Sequence, residues 1–166
     1  WLGSGPRCGF GELIIPDLQP GSSIMPGKVN PVMSEMIVMV CAQVLGNDVT
    51  IAISGQQGHF ELNTMLPVMA ANLLGSTALL ANACRAFSER CLAGLQADEA
   101  RCAEMVEKSL AMVTALVPVI GYDLAASLAK EAHASGRTIR ELCIEKKVLP
   151  EAQLAELLDA RKMTGE

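Results

Sequence analysis

The sequence predicts an all-α protein in which long apolar helices belong to a helical bundle and a small helical domain follows. Residues 36–46 are apolar on nearly every face of a helix, and residues 62–84 contain no charged residue. Beyond residue 95 the pattern becomes amphipathic, with recognisable helix caps. A helix that is apolar all round has to be buried by other helices, so the first part of the chain is predicted to lie inside a larger bundle.

Charge divides the chain into two predicted domains, residues 1–95 and residues 96–166. Ten of the 31 charged residues lie in the first and 21 in the second. A charge-poor segment suits the interior of a helical bundle, whereas amphipathic helices suit a domain with its own surface. We therefore expect residues 1–95 to form part of a central bundle and residues 96–166 to form a small C-terminal α-helical domain.

The first domain is predicted to contain one extended entry and two long helices. Residues 11–16 predict a short strand, which the turn residues Asp17, Pro20 and Gly21 close. The helices are expected at about residues 31–53 and 61–92, the second kinked or adjusted near Pro67. Two such helices cannot bury themselves in 166 residues, so we expect partner chains that cover them.

The second domain is predicted to contain four shorter helices. Thr138 and Glu141 have the spacing of a capping box, and Gly136 is a helix stop. Pro150 suits the first turn of a helix. The expected helices span residues 97–110, 122–135, 138–147 and 150–160.

Composition argues against several classes of function. The net charge is −5 and no cluster of Lys or Arg occurs, which argues against nucleic acid and anionic membranes as partners. Six cysteines and two histidines are scattered without a Cys-x-x-Cys pair, which argues against zinc or iron–sulfur sites. We therefore expect no metal and no cofactor. Reduced cysteines in helical cores indicate a cytoplasmic or organelle-matrix compartment.

The uncharged stretch at residues 62–84 is long enough to span a bilayer. It is, however, interrupted by several polar residues and by Pro67, and no aromatic belt flanks it. A buried helix of a large bundle fits this pattern better than a membrane span.

The segment at residues 20–31 is the main candidate for a functional site. Its core reads Gly-Ser-Ser-Ile-Met-Pro-Gly-Lys-Val-Asn from Gly21 to Asn30. Successive backbone N–H groups in a glycine-containing loop are able to cradle an anion, and Lys28 adds a positive charge. Asn30 is predicted as a helix N-cap with Pro31 at the first helical position. Such a loop suits a carboxylate or a phosphate, although a Ser/Gly-rich connector with an incidental lysine has the same spacing.

The same segment, extended through Pro31, resembles the signature of the fumarase/aspartase superfamily of lyases. Further motifs fall in the order and spacing of the class II fumarate hydratase branch, and the resemblance covers essentially the whole chain. These motifs are Ser4–Gly9, Gly46–Asp48, Gly58–Asn63 and Ile120–Asp123. Because the sequence begins inside what resembles the middle of a longer family chain, we expect it to be a C-terminal fragment.

The resemblance implies a lyase of the tricarboxylic acid cycle that interconverts fumarate and L-malate without a metal, through an aci-carboxylate carbanion. It assigns the role of catalytic base to Ser22, on a mobile loop, although the residues alone do not distinguish Ser22 from Ser23. Substrate-binding roles fall to four residues of the loop: Ser23, Lys28, Val29 and Asn30. A serine serves as a base only where N–H dipoles and a cation favour its alkoxide.

Glu35 is the second expected catalytic residue. A carboxylate in the first turn also complements the helix dipole, so a purely structural role is the alternative. The resemblance pairs Glu35 with an active-site histidine from an N-terminal segment of a neighbouring subunit, and neither His59 nor His133 lies in that motif. It thereby implies a homotetramer with shared active sites, in the cytoplasm or, in a eukaryote, the mitochondrial matrix.

Two other functions stay open at this point. Aspartate ammonia-lyase shares the loop and the carbanion step, and Gly27, Glu61 and Tyr122-Asp123 favour the fumarase branch over it. A non-catalytic helical oligomerisation module is the alternative from another class. It predicts drift at Ser22, Lys28 and Asn30, all of which match the family pattern.

Overall fold

The computed structural model describes residues 1–165, and this part of the chain is predominantly helical with only two short strands, as the sequence predicts. Its α-helices are α1 (Val32–Gly55), α2 (Leu66–Arg90), α3 (Glu99–Glu107), α4 (Val117–Ile120), α5 (Tyr122–Ser135), α6 (Ile139–Glu145), α7 (Glu151–Leu157) and α8 (Ala160–Met163). Two 3₁₀ helices span Leu92–Gly94 and Leu110–Leu116. Two short strands, β1 (Leu13–Ile14) and β2 (Gln96–Ala97), form a two-stranded sheet.

Contacts between residues divide the chain into two compact units. The first unit contains Trp1 and Leu13–Gln96, and the second contains Leu2–Glu12 and the chain from Ala97 onward. The predicted domains, residues 1–95 and 96–166, differ from these units mainly in residues 2–12. That residues 1–95 and residues 96–166 are two domains of the folded protein therefore stays a prediction.

The first unit is built on a helical hairpin of α1 and α2. The side chain of Asn47 in α1 donates a hydrogen bond from Nδ2 to Ser76 Oγ in α2, at 2.9 Å. Ser76 and Ser54 are buried, because both lie on the faces that the two helices turn towards each other. This polar contact fixes the register of the hairpin, since an unpaired buried hydroxyl or amide is unfavourable.

The outer faces of the hairpin are exposed and apolar in a single chain. Both helices are long and apolar enough to cross a membrane, by length and composition alone. Large side chains along them are half exposed or more, among them Val38, Met39, Leu45, Leu73 and Leu74. A soluble protein rarely exposes a continuous apolar surface of this extent unless another surface covers it.

The structure corrects the predicted starts of both long helices. Pro31, not Asn30, occupies the N-cap position of α1, and the Asn30 side chain turns back to the preceding loop. Helix α2 begins at Leu66, several residues after the predicted start at residue 61, because Phe60 and Glu61 have positive φ angles that no helix tolerates. Pro67 lies in the first turn of α2, so it opens the helix and does not kink it.

The second unit has the larger hydrophobic core. Helix α5 contributes Ala125, Leu128 and Ala132, whose spacing of three and four residues places them on one face. They belong with the other buried apolar residues of the unit, which include Met112, Leu116, Ile139, Leu142, Cys143, Leu154 and Leu158. Each fully buried leucine contributes about 1.5–3 kcal/mol relative to an exposed one.

Hydrogen bonds at the helix ends of the second unit match the predicted caps. Thr138 Oγ1 accepts the Glu141 N–H at 3.2 Å, while Glu141 Oε2 accepts the Thr138 N–H at 2.9 Å, which completes the capping box. Helix α5 ends at Gly136 in the left-handed conformation, with φ 70°. Pro150 precedes α7 as its N-cap and not as its first residue.

Residues 2–12 are held against α3 within the second unit. Arg101 Nε donates to the carbonyl of Phe10 at 2.8 Å, and Asp98 N–H donates to the carbonyl of Glu12 at 2.9 Å. Asp98 is also the N-cap of α3, accepting the Arg101 N–H at 2.9 Å. The helix therefore begins two residues later than predicted, at Glu99, because Asp98 is occupied as its cap.

The expectation of core cysteines holds for only part of the set. Cys91 and Cys143 are buried, whereas Cys8, Cys41 and Cys84 are exposed. Burial raises the pKa of the Cys143 thiol, which keeps it protonated and unreactive.

We predict that Thr138→Ala lowers the free energy of unfolding of the second unit by about 1 kcal/mol, because it leaves the Glu141 N–H in the first turn of α6 without its partner. Urea denaturation followed by circular dichroism measures the change. Thr164→Ala is the matched control, since Thr164 is exposed and its hydroxyl only donates to the Arg161 carbonyl. Equal losses of stability in both variants would contradict the capping argument.

Candidate functional site

The loop from Gly21 to Asn30 is closed by hydrogen bonds at both polar groups of Gly21. Its N–H donates to the Lys28 carbonyl at 2.8 Å, and its carbonyl accepts Asn30 Nδ2 at 2.9 Å. A further bond inside the loop joins the Lys28 N–H to the Met25 carbonyl at 3.2 Å. The two ends of the loop are thereby brought together at the start of α1.

Only glycine fits at position 21. A Cβ atom there would lie 2.7 Å from the Lys28 oxygen and 2.8 Å from the Asn30 nitrogen, both of them backbone atoms that cannot move independently. Gly27 is required for a different reason, because its φ of +79° is one that other residues rarely adopt. The two glycines therefore set the shape of the loop.

Ser22 lies where backbone N–H groups converge on its hydroxyl. Its Oγ accepts the N–H of Ile24 at 3.1 Å and the N–H of Met25 at 3.2 Å. Oxygen atoms that accept several N–H bonds have their anionic form favoured over the neutral one. The neighbouring Ser23 is exposed, and its hydroxyl accepts no such bond among the described residues. The structure thus shows a difference between Ser22 and Ser23 that the sequence alone did not.

An open cleft of about 440 Å³ lies beside this loop in the first unit. Residues on both sides of Gly21 line it: Asp17, Leu18, Gln19, Pro20, Ser22, Gly27, Lys28 and Val29. Lys28 is exposed, and within residues 1–165 no carboxylate lies in ion-pair distance of it. Asp17 is the carboxylate of the lining, so the cleft combines one positive and one negative group with a serine hydroxyl.

The structure brings only some of the predicted site residues together. Ser22, Lys28 and Val29 line the cleft, whereas Asn30 holds the loop closed. Glu35 is exposed in the first turn of α1, where its N–H bonds to the Pro31 carbonyl at 3.0 Å, and it is not part of the lining. These placements leave the predicted roles untested.

Asp17 and Gln19 line the cleft although the sequence argument treated the segment before Gly21 only as a turn. Nothing in the residue pattern marked them, because their place in the lining depends on how the chain folds back beside the loop.

The described residues contain no group of three His, Cys, Asp or Glu side chains arranged to hold a metal ion. Of the two histidines, His59 belongs to the turn before α2, and His133 is exposed on α5. The residues that line the cleft are suited to binding an anion and to transferring a proton at the Ser22 hydroxyl.

Comparison with known families gives two matches along the chain. A model described as Lyase matches residues 1–46, which include the whole Gly21–Asn30 loop. A model described as Fumarase C C-terminus matches residues 112–165.

Curated relatives match nearly the whole chain. It is 52% identical over 163 residues to fumarate hydratase class II 2 of Bradyrhizobium diazoefficiens, covering 98% of this chain and 34% of the relative. It is 53% identical over 163 residues to fumarate hydratase class II of Bacillus anthracis, with coverage of 98% and 35%. An aspartate ammonia-lyase of a Bacillus species is 51% identical over 163 residues, again with coverage of 98% and 35%.

Solved structures share the fold. A fumarate lyase:delta crystallin from Brucella melitensis, solved bound to cobalt, matches with a TM-score of 0.92 and 47% identity, over 98% of this chain and 35% of that one. The class II fumarase of Schistosoma mansoni matches with a TM-score of 0.84 and 44% identity, over 95% of this chain and 33% of that one.

The chain thus spans about a third of the length of the relatives that it matches. Sequence and fold together identify it as a member of the lyase family that contains the class II fumarate hydratases, and as a stretch that includes their C-terminal segment.

Proposed function

We propose that this chain is the part of a class II fumarate hydratase that supplies the serine-bearing loop, in an enzyme that reversibly hydrates fumarate to L-malate. The observation that carries the proposal is the Ser22 hydroxyl, which accepts two backbone N–H bonds in a cleft that Lys28 also lines. Relatives that are named fumarate hydratase, with 52% and 53% sequence identity to this chain, support the choice of reaction.

The chemistry needs a base and a place for negative charge. In the malate direction a proton leaves the carbon next to a carboxylate, and the electrons move onto that carboxylate to give an aci-carboxylate dianion. Hydroxide then departs from the neighbouring carbon as water after protonation, which leaves fumarate. Ser22 takes the proton, and the Ile24 and Met25 N–H groups stabilise its alkoxide beforehand.

Lys28 stabilises the dianion by direct charge attraction. One oriented donor in a site of this kind contributes on the order of 2.7–4 kcal/mol to the transition state. Val29 shapes the wall of the cleft, and Ser23 contacts the substrate once the loop moves over it. Asn30 Nδ2 donates to the Gly21 carbonyl, so without substrate Asn30 positions the loop, and it contacts the substrate only when the loop moves over it.

The loop acts as a lid in this proposal. Gly21 and Gly27 lie near its two ends, and side chains between them, including Ile24 and Met25, are exposed. Closure over a small dicarboxylate would bury these apolar groups and exclude water at the moment of proton abstraction.

Glu35 orients a histidine that comes from outside this chain and raises the basicity of that histidine. The histidine then protonates the departing hydroxide. An exposed carboxylate in the first turn of α1 is free to make such a contact. The proposal therefore includes a longer polypeptide and a homotetramer with active sites shared between subunits. The exposed apolar faces of α1 and α2 support this assembly.

The reaction needs no metal in this proposal, because Lys28 and the loop N–H groups supply the positive potential that a metal would otherwise provide. The compartment is the cytoplasm or the mitochondrial matrix, since the relatives include bacterial enzymes and enzymes named mitochondrial. A role in the tricarboxylic acid cycle follows from the proposed substrates.

Aspartate ammonia-lyase is the second candidate, and one relative at 51% identity carries that name. It would use the same deprotonation of a carbon next to a carboxylate, with ammonia as the leaving group. A non-catalytic helical module is the third candidate, and the two backbone N–H bonds to the Ser22 hydroxyl count against it.

We predict that the complete protein produces fumarate from L-malate and not from L-aspartate, and that Ser22→Ala lowers kcat by at least about a hundredfold, as expected for the loss of a positioned general base. Ultraviolet absorbance of fumarate measures both reactions. Ser127→Ala, an exposed serine of α5, is the matched control and should keep full activity. Fumarate from aspartate alone would assign the protein to the ammonia-lyases, and an active Ser22→Ala variant would remove the serine base from the mechanism.

We predict that Gly21→Ala abolishes most of the activity, because its Cβ would clash with the backbone at Lys28 and Asn30 and force the loop open. Amide hydrogen exchange should show a faster-exchanging N–H at residue 21, whose bond to the Lys28 carbonyl is lost. Gly55→Ala is the control, since Gly55 is exposed at the end of α1 and a Cβ meets no atom within 4 Å there. Normal activity with a protected N–H in Gly21→Ala would show that the loop shape described above is not the functional one.

We predict that the isolated 166-residue chain has negligible activity on malate, because it lacks the proposed histidine and the substrate contacts outside it. The same fumarate absorbance assay, at matched concentration beside the complete protein, measures this. Robust turnover by the isolated chain would overturn the assignment of roles to Glu35 and to an external histidine.

A further inference from the structure

Four consecutive residues that precede the loop line the cleft: Asp17, Leu18, Gln19 and Pro20. We call them the wall segment, and its backbone is anchored on both sides. Before it, the Pro16 ring occupies the space beside Gly94, where a Cβ atom would lie 2.8 Å from Pro16 Cγ. After it, Gly21 is held by hydrogen bonds through both its N–H and its carbonyl. The wall segment therefore places its side chains in the cleft lining from a backbone that is held at each end.

The charged residues of the lining are Asp17, on the wall segment, and Lys28, on the loop. Both are exposed. Among residues 1–165 neither forms an ion pair, with the other or with a third residue. The cleft thus has one unpaired charge of each sign in its lining.

The size of the cleft brings both charges within reach of an anion bound inside it. A volume of about 440 Å³ corresponds to a width of about 8 Å, which is close to the distance over which physiological salt screens a charge. Asp17 therefore repels an anion that Lys28 attracts. The repulsion on a dianion is twice that on a monoanion at the same distance.

The proposed mechanism gives Asp17 no part in the chemistry, yet its carboxylate opposes the binding of the proposed ligand. Fumarate and malate are both dianions at neutral pH, and each has to leave after the reaction. Binding that is equally strong for the substrate and the transition state does not raise kcat, so weakening it does not slow the chemical step. A negative charge in the lining shortens the time for which a dianionic product stays bound.

We propose that Asp17 is a residue that limits the affinity of the cleft for dicarboxylates and thereby speeds the release of product from Lys28. This inference rests on the proposed function, because it takes the ligand to be a dicarboxylate dianion.

The test is calorimetric titration of succinate, a dicarboxylate with neither a double bond nor a hydroxyl, into the complete protein and its variants. Asp17→Asn keeps the size of the side chain and removes its charge. It should lower the Kd for succinate about fourfold at an ionic strength of about 10 mM, and the difference should shrink below about twofold at about 0.5 M salt, where charges at this distance are screened.

Two further variants separate the charge of the cleft from other effects. Asp17→Glu retains the charge and should keep the Kd of the unmodified protein. Glu151→Gln makes the same change of net charge in the second unit, at an exposed residue that does not line the cleft, and should also leave the Kd unchanged. An equal gain of affinity in Glu151→Gln and Asp17→Asn would overturn the proposal, because it would show an effect of net charge alone.

A Kd for succinate that is unchanged or higher in Asp17→Asn would also overturn the proposal, since Asp17 would then be neutralised elsewhere in the complete protein or would itself hold the ligand. Malate turnover by the unmodified protein, followed by fumarate absorbance, tests the proposed function separately. Turnover without the gain of affinity in Asp17→Asn would remove this inference alone. The gain of affinity without turnover would remove the proposed reaction and keep the role of Asp17 in binding.

Discussion

The peptide of Gly21 is bound at both ends: its N–H is held by the Lys28 carbonyl and its carbonyl by the side chain of Asn30. This close approach is possible only because residue 21 has no Cβ. Closure of the segment turns the residues between into a tight loop, and the tight loop directs the Ile24 and Met25 N–H groups at Ser22. The placement of the hydroxyl, of Lys28 and of the start of α1 all follow from this one constraint.

The helical hairpin of α1 and α2, which follows the loop, does not bury its own apolar surface. It fixes its own register through Asn47 and Ser76, yet leaves most of its apolar surface uncovered. The second unit differs, since it has a buried apolar core that includes Leu116, Leu128 and Leu142. The chain thus combines a unit that has its own buried apolar core with a hairpin whose apolar outer faces are exposed.

Sequence reasoning succeeded where local chemistry decides the structure. The capping box at Thr138, the stop at Gly136 and the span of α5 are set by hydrogen bonds between neighbouring residues, and all three agree with the structure. It failed at Asn30, whose side chain had two possible partners, a helix end or the Gly21 carbonyl nine residues away. It failed again at Glu61, because positive φ angles at two ordinary residues leave no trace in composition. The loop was recognisable as a candidate site from its residues, but the position of Asp17 and Gln19 in the cleft lining depends on how the chain folds back, which composition does not encode.

The central claim is that Ser22, held by two N–H donors, removes a proton from carbon. Deuterium incorporation tests it most directly. The complete protein is equilibrated with L-malate in D₂O, and NMR follows the label on the carbon that loses its proton, which is the CH₂ carbon next to the carbon bearing the hydroxyl. The account predicts incorporation by the unmodified protein and by Ser23→Ala, and none by Ser22→Ala. Incorporation that survives in Ser22→Ala, at the rate of the unmodified protein, would contradict it.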